Sequence, residues 1–260
     1  MKKICIITTG GTIAMREDRE AGGLVPAVSG EELAASAPGL TDWADIEVRE
    51  FSNIPSEFMT PEIMLRLAHT IDSLADEADG FVVTHGTDTM AYTASALSFM
   101  LEGLDKPVIL TGSQIPLCEL RSDGRDNLIN SMVIAAEGRV NEVCLYFAGK
   151  LLRGNRSTKV SSDELMAFAS PNYPVLADVG IDIKYNQQAL IMPAQAPEFK
   201  LTELRQVPIG VLKLFPGIQF DYFESLMTDK LKGVVLETFG AGNIPGAAQN
   251  ALLPIITSII

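Results

Sequence analysis

Four apolar runs in this sequence end in the same way, with threonine or glycine followed by a side chain that can form hydrogen bonds. They read ICIITTGGT, FVVTHGTD, VILTGSQ and VVLETFGAGN. Helical patterns separate the first three, as at 60–74, where Thr60 and Pro61 predict a helix start and apolar residues follow on one face. Alternating strands and helices predict a mostly parallel sheet packed between helices. The sequence therefore predicts the α/β class.

The composition changes near residue 186, where a polar and proline-rich stretch interrupts this alternation. We expect a larger N-terminal α/β domain over residues 1–185 and a linker over 186–207. A smaller α/β C-terminal domain is expected over 208–260. The final ALLPIITSII stops without a cap or a polar tail, so we expect that domain to be incomplete.

The polar strand ends are expected to converge on one site. In an open α/β sheet, the carboxyl ends of the strands face one crevice at the point where the strand order reverses. Turn chemistry alone explains threonine and glycine at one strand end, but repetition in several strands favours a site. TTGGTIAM does not have the G-x-G-x-x-G spacing of a dinucleotide site, and no K-[ST] follows its glycines. A phosphate-binding role is therefore disfavoured.

The charge of the chain argues against two classes of partner. With 33 acidic and 20 basic residues, its formal net charge is -13, whereas nucleic acids and anionic membranes bind clustered lysine and arginine. No uninterrupted apolar segment approaches the roughly 20 residues of a membrane-spanning helix. Three scattered cysteines, Cys5, Cys118 and Cys144, fit a reduced compartment better than a disulfide framework. We expect a cytoplasmic protein that binds neither nucleic acid nor membranes.

Candidate metal ligands are few, because the chain has only two histidines, His69 and His85. The cysteines have no neighbours at metal-ligand spacing. DGRDN around Asp123 resembles the start of a calcium loop, but Ile134 stands where a bidentate glutamate is needed. We therefore predict no metal site.

Threonine remains as the best candidate nucleophile. A threonine hydroxyl must lose its proton to a neighbouring base as it attacks. Thr12 lies in the first glycine turn and Thr87 lies in HGTD, where Asp88 directly follows it. A lysine partner would complete such an arrangement.

Several motifs together resemble the bacterial-type L-asparaginase and glutaminase family, in its cytoplasmic type I branch. The two signature stretches correspond to TGGTIAM and HGTDTMAYTASALSFML. Further family segments match LTGSQIPLCELRSDGRDNL, RGNRSTK and FGAGN. The resemblance covers essentially the whole chain.

This resemblance implies a two-domain α/β hydrolase that converts L-asparagine to L-aspartate and ammonia without a metal or cofactor. Thr12 would form a covalent acyl-enzyme that water later resolves. Thr87, Asp88 and Lys159 would form a second catalytic group, with Lys159 helping to move a proton between Thr87 and water. A surface role is the alternative for Lys159, but the preceding RGNRST favours the catalytic one.

The resemblance also implies how an amino-acid substrate is held. Ser56 and Glu57 match positions that bind its carboxylate and amino groups, Gly86 belongs to the same site, and Asp88 would pair with the α-ammonium. A solvated loop is the alternative for Glu57. Asn243 resembles a residue that reaches a neighbouring subunit's site, which implies a homodimer or homotetramer.

Two features depart from the family pattern. Family members commonly carry a tyrosine on the mobile loop after the first strand, whereas Leu24 stands at that place and Tyr92 is the first tyrosine of the chain. Family chains generally continue beyond residue 260, and the acidic residue that orients the loop tyrosine lies in that further portion.

The sequence leaves three other functions open. Asparagine and glutamine differ by one methylene, so a glutaminase is the nearest alternative. A subunit that supplies ammonia to a transfer-RNA amidotransferase is another, and it is expected to carry an additional N-terminal domain. A non-catalytic amino-acid sensor is favoured by the absent loop tyrosine, whereas the presence of both threonines, Asp88 and Lys159 favours the hydrolase.

Overall fold

A computed structural model describes residues 1–18, 23–26, 32, 39, 43–191, 199–219, 223 and 230–246. The chain divides into two compact units, Met1–Leu204 and Arg205–Ile260. This division falls inside the predicted linker, and the bounds of that linker stay a prediction. The chain end ALLPIITSII lies outside the described residues.

The described strands and helices follow the order that the sequence predicts. The strands are β1 (Lys2–Thr8), β2 (Met15–Asp18), β3 (Gly23–Pro26), β4 (Ala44–Glu50), β5 (Gly80–Thr84), β6 (Leu101–Glu102), β7 (Val108–Thr111), β8 (Val143–Phe147), β9 (Lys150–Arg153), β10 (Thr158–Lys159), β11 (Phe168–Ala169), β12 (Ala177–Val179), β13 (Ile183–Tyr185), β14 (Lys200–Leu201), β15 (Ile209–Lys213) and β16 (Gly233–Glu237). The helices are α1 (Pro61–Ser73), α2 (Met90–Met100) and α3 (Gly124–Glu137), and 3₁₀ turns lie at Thr12–Ala14, Ser56–Phe58 and Gly154–Arg156.

The main sheet of the first unit has the strand order β13-β12-β9-β8-β7-β5-β1-β4. Strands β4, β1, β5, β7 and β8 are parallel to one another, and β9, β12 and β13 extend the sheet with antiparallel pairs. The predicted α/β class with a mostly parallel sheet is confirmed. The strand order reverses between β1 and β5, because the chain leaves β1 towards β4 and then returns past it. Loops after these two strands therefore border the crevice in which α/β proteins bind ligands.

Helix α1 begins where the sequence predicts it. Thr60 accepts a hydrogen bond from the Ile63 main-chain N–H at 3.4 Å, and Pro61 occupies the first helical turn, where its missing N–H costs nothing. Leu67 and Ile71 lie fully buried on its inner face. The local cap and the apolar spacing thus determine both the start of the helix and the side that packs on the sheet.

Helices cover both faces of the sheet. Successive side chains of β1 alternate between two apolar clusters, since Ile4 and Ile6 belong to one and Cys5 and Ile7 to the other. The first cluster also contains residues of α3, and the second contains residues of α1 and α2. Strands that are buried on both faces read as continuous apolar runs, which is why ICII and FVV are uninterrupted.

The second unit contains the parallel pair β15 and β16. Leu212 and Leu214 are buried there. The helix that the sequence predicts at 220–229 lies mostly outside the described residues.

Among the helices of the described residues, none has the length and apolar character needed to cross a membrane.

Candidate active site

Three turns meet at the carboxyl ends of β1, β4 and β5, and glycines lie where they touch. A Cβ on Gly11 would lie far inside contact distance of the Gly86 main chain. A Cβ on Gly10 would come within 2.6 Å of the Ile54 main-chain nitrogen and oxygen. A Cβ on Gly86 would lie 2.6 Å from the Ser56 Cβ atom. The turns approach this closely because glycine has no side chain.

Thr9 holds the same three turns together by hydrogen bonds. Its main-chain N–H and its hydroxyl both donate to the Thr84 carbonyl, at 3.1 and 2.9 Å. Its own carbonyl accepts from the Ile54 N–H and from the Ser52 hydroxyl, each at 3.0 Å. Thr9 is buried, so these bonds have little competition from water. Thr9 therefore joins the three turns at the base of the crevice.

Thr12 begins the 3₁₀ turn that follows β1. Ile13 and Ala14 are buried and anchor this turn in the core, whereas Thr12 is only half-buried. Within the described residues, no side chain or carbonyl forms a hydrogen bond with the Thr12 hydroxyl. Thr12 and Thr87 each follow one member of the Gly11–Gly86 contact, so the structure brings their two turns together.

Lys159 connects the second threonine to its neighbouring carboxylate. Its ammonium donates to the Thr87 hydroxyl at 2.8 Å and to Oδ1 of Asp88 at 2.7 Å. The Lys159 side chain is 17% exposed, whereas that of Asp88 is 68% exposed. Strand pairing of β10 with β11 fixes the main chain at Lys159. A partly buried ammonium therefore bridges a hydroxyl and a carboxylate whose other face is open to solvent.

Gln114 lies against this group, although the sequence did not single it out. The Thr87 hydroxyl donates to Oε1 of Gln114 at 3.3 Å, and the Gln114 side-chain NH₂ donates to the Glu164 carbonyl at 3.1 Å. The Asp123 carboxylate accepts from the Gln114 main-chain N–H at 3.1 Å. Gln114 ends the run VILTGSQ, and the predicted convergence of strand ends was the signal for it.

His85 is a second residue of the site that sequence reasoning missed. Its Nδ1 lies 2.7 Å from the Gly86 carbonyl and its Nε2 lies 2.9 Å from the Thr93 hydroxyl. The side chain is fully buried, and this burial lowers the pKa of His85 to about 4, against a small opposing effect of the Gly86 carbonyl. The imidazole is therefore neutral at physiological pH. Nothing in the local sequence distinguishes it from a ligand histidine.

The residues predicted to bind substrate differ in burial and in the unit of the chain to which they belong. Ser56 is 5% exposed beside Gly86, and its carbonyl accepts from the Thr89 hydroxyl at 2.8 Å. Glu57 follows it on the same 3₁₀ turn and is exposed. Asn243 is exposed in a turn of the second unit, where its carbonyl accepts from the Phe239 N–H at 2.9 Å.

Leu24 lies in a hairpin that follows the Thr12 turn. Strand β3 pairs antiparallel with β2, and Leu24 stands opposite Glu17 in the register. The hairpin extends directly from Met15, the residue that ends the Thr12 turn. The departure from the family pattern therefore falls in a segment continuous with the candidate nucleophile.

The described residues contain no group of three or more histidine, cysteine, aspartate or glutamate side chains that could hold a metal ion. What these residues do assemble is a threonine hydroxyl in a glycine turn, a second hydroxyl in contact with an ammonium group, and an exposed carboxylate. Such a set can hold an amino-acid substrate and transfer protons during an acyl-transfer reaction.

Comparisons with known proteins place almost the whole chain among relatives of one family. A family model described as Asparaginase, N-terminal, matches residues 3–191. L-asparaginase 1 of Escherichia coli (strain K12) is 44% identical over 249 residues, which cover 94% of this chain and 72% of that protein.

Solved structures match over almost the whole chain. The crystal structure of L-asparaginase I from Vibrio cholerae has a TM-score of 0.89 at 41% identity, covering 99% of this chain and 77% of the other. The thermostable L-asparaginase from Thermococcus kodakarensis has a TM-score of 0.87 at 33% identity, covering 99% of this chain and 76% of the other. The chain described here belongs to the asparaginase family.

Proposed function

We propose that this protein hydrolyses L-asparagine to L-aspartate and ammonia. The observation that carries the proposal is the Lys159 ammonium, which contacts both Thr87 and Asp88 next to the glycine turn of Thr12. Relatives in bacteria and archaea that match most of the chain are named L-asparaginases. Geometry and family membership therefore support the same reaction.

In the first half of the proposed reaction, Thr12 is the nucleophile. Its oxygen attacks the side-chain amide carbon of asparagine, its proton passes to the leaving nitrogen, and the C–N bond breaks to release ammonia. The product is an ester between Thr12 and the aspartyl group. The hydroxyl is half-buried and has no partner among the described residues, which leaves it available for attack. Main-chain N–H groups of the adjoining glycine turns are suited to stabilise the oxyanion.

In the second half, water resolves the ester. The Lys159–Thr87 pair passes a proton between the attacking water and the Thr12 oxygen, so that aspartate and a free Thr12 hydroxyl are formed. An ammonium group 2.8 Å from a hydroxyl polarises that hydroxyl and holds it in one orientation. Asp88 keeps Lys159 in place by a charge-assisted hydrogen bond of 2.7 Å.

Substrate recognition is assigned to groups at the edge of the same crevice. Ser56 and Glu57 bind the α-carboxylate and α-ammonium groups, together with the exposed face of Asp88. Gly86 belongs to the same site, where its missing side chain lets Ser56 lie against the turn that carries Thr87 and Asp88. The Leu24 side chain cannot donate or accept a hydrogen bond, so activation of Thr12 depends on groups other than a loop tyrosine.

Substitution of Lys159 tests the proposal most directly. We expect Lys159→Met to lower kcat for ammonia release from L-asparagine by about 100- to 10,000-fold, the usual range for a proton-transfer group. Thr12→Ala is expected to abolish release almost completely. Lys150→Met is the matched control, because Lys150 pairs with Asp178 across β9 and β12 and does not contact the site.

Ammonia release is measured at steady state with the whole chain, and circular dichroism checks that each variant folds. Full activity in Thr12→Ala or Lys159→Met would refute the role given to that residue. Binding of asparagine by calorimetry without any turnover in the wild-type chain would instead favour an amino-acid sensor.

The preference for asparagine over glutamine belongs to the same proposal. One methylene in a pocket changes kcat/KM by about 10- to 200-fold. A difference of this size is measured by comparing kcat/KM for asparagine and for glutamine at equal enzyme concentration. A higher kcat/KM for glutamine would mean that the protein is a glutaminase. The proposed threonine mechanism would be unchanged.

We further propose that the protein acts in the cytoplasm as a homodimer or homotetramer. The family resemblance of Asn243 carries the proposed role in a neighbouring subunit's site, and its exposure is compatible with that role. The free state of all three cysteines fits a reducing compartment. Light scattering of the purified chain measures the subunit number, and a monomer with full activity would contradict this assignment.

A further inference from the structure

His85 is a buried titratable group that the proposed reaction does not use. Its side chain is 0% exposed, yet both of its ring nitrogens have a polar partner. In the sequence, His85 directly precedes Gly86 and Thr87. A buried polar side chain with every hydrogen-bonding atom satisfied specifies one arrangement of its surroundings.

The two partners determine which nitrogen carries the proton. The Gly86 carbonyl can only accept a hydrogen bond, so Nδ1 must be the donor across the 2.7 Å contact. In a neutral ring Nε2 is then an acceptor, and the Thr93 hydroxyl donates to it across 2.9 Å. Burial keeps the ring neutral, as the lowered pKa of His85 indicates. The site therefore holds the neutral Nδ1–H form of the imidazole.

We propose that His85 is a positioning residue, whose Nδ1–H orients the Gly86–Thr87 peptide and thereby holds Thr87 against Lys159. This inference rests on the proposed function. A trans peptide is planar, so anchoring the Gly86 carbonyl also directs the Thr87 N–H to the opposite side. Thr93 lies in helix α2 and donates to the other ring nitrogen, Nε2, so its bond does not reach the Gly86 carbonyl.

The link acts on a glycine, whose main chain has no side chain to restrict it. A Cβ on Gly86 would overlap Ser56, and a Cβ on Gly11 would lie 2.4 Å from the Gly86 Cα atom, so the space that a restricting side chain would need is already filled. The main chain of His85 is anchored on the other side, where its N–H donates to the Thr111 carbonyl at 2.8 Å. The imidazole thus holds the segment that carries Thr87 and Asp88 through the Gly86 carbonyl, and burial of the ring keeps the imidazole itself in place.

Two amide substitutions separate the roles of the ring nitrogens. The amide nitrogen of asparagine reaches the position of Nδ1, whereas that of glutamine reaches the position of Nε2. We expect His85→Gln to lower kcat about 100-fold with little change in KM, because displacements of about 1 Å have effects of this size. His85→Asn restores the donor to Gly86 and is expected to remain within about 5-fold of wild type.

Thr93→Val is the matched control for packing. It removes the hydroxyl that faces Nε2 but leaves Nδ1 and Gly86 in contact, so kcat is expected to stay within about 3-fold of wild type although stability falls. Equal loss of kcat in His85→Gln and His85→Asn, or a loss in Thr93→Val as large as in His85→Gln, would mean that His85 only fills space.

A nitrogen NMR measurement on the wild-type chain tests the same point without any variant. The chain has two histidines, so ¹⁵N-histidine labelling yields two imidazoles, of which the second belongs to exposed His69. We expect His85 to show a proton on Nδ1 that persists from pH 8 to about pH 5. A proton on Nε2 would overturn the inference.

The outcomes also separate this inference from the proposed function. A wild-type chain that releases no ammonia refutes the function and with it the role of His85. An active wild-type chain with a proton on Nε2, or with equal loss in both amide variants, refutes the role of His85 alone.

Discussion

Glycines of the candidate site stand where another segment's main chain or side chain occupies the space of a Cβ atom. Gly11 meets the Gly86 main chain, Gly10 meets Ile54, and Gly86 meets Ser56. Gly11 has a φ of 85°, which other residues rarely adopt. At the residue scale, these positions determine how closely the loops with Thr12 and Thr87 approach one another.

Gly11→Ala is expected to lower the free energy of unfolding by at least about 2 kcal/mol, since it adds backbone strain to a steric overlap. Gly138→Ala is the matched control. Gly138 also has a positive φ, at 62°, but nothing lies within 4 Å of the position of its Cβ. The control is expected to cost about 1 kcal/mol from backbone strain alone.

Urea unfolding followed by circular dichroism measures both variants at one protein concentration. An equal decrease in the free energy of unfolding of both variants would mean that the Gly11–Gly86 contact relaxes without cost. Backbone strain alone would then explain the destabilisation.

At the scale of elements, parallel register brings the polar strand ends into one row. Thr8 of β1 pairs with Thr84 of β5, which pairs with Thr111 of β7. The turns that follow therefore begin at the same level of the sheet. The start of helix α1, in contrast, depends on local signals alone. Its cap, Thr60, and its first proline, Pro61, are adjacent in the sequence.

Thr60→Ala is expected to destabilise the protein by about 1 kcal/mol, because it removes the side chain that caps α1. Thr70→Ala in the same helix is expected to be neutral or slightly stabilising. The Thr70 hydroxyl donates to the Arg66 carbonyl within the helix, and alanine has the higher helix propensity. Thermal unfolding compares the two variants, and equal destabilisation would contradict the capping role.

At the scale of the whole molecule, the buried imidazole couples the folding equilibrium to pH. The pKa of His85 falls from an ordinary 6.5 to about 4 in the folded protein. Unfolding exposes a ring that binds a proton below pH 6.5, so the unfolded state takes up more protons between pH 6.5 and 4.

The resulting stability is present in full above pH 6.5 and is lost as the pH falls towards 4. For a shift of this size, we expect a loss of about 3 kcal/mol over that range. His85→Asn cannot take up this proton, so the difference between wild type and variant isolates the contribution from that of the carboxylates. Urea unfolding at several pH values measures it, and parallel pH profiles would contradict the assignment.

Family membership and the α/β class could be predicted from the sequence because their signals are local. The runs ICII and FVV predict buried strands, and TGGTIAM with HGTD marks the turns that carry the candidate chemistry. Leu24 was recognised as a departure by the same local comparison. The domain bounds and the roles of Ser56, Glu57 and Asn243 stay predictions.

The roles of Gln114 and His85 could not be assigned from the sequence, although Gln114 ends one of the runs that were predicted to converge. Gln114 contacts Thr87 from the end of a different strand. His85 is distinguished from a metal-binding histidine by its hydrogen bond to the Gly86 carbonyl. Both depend on burial and on contacts between distant segments, which periodicity and spacing do not contain.

The sequence by itself determined the alternation of strands and helices, the start of α1 and the residues that carry the candidate chemistry, because main-chain preference and apolar spacing act over a few neighbours. Only the tertiary structure decided that Lys159 lies against Thr87, 72 residues away in the chain, and that Gly11 touches Gly86. Such contacts depend on strand order and register, which are set by packing of the entire sheet between its helices.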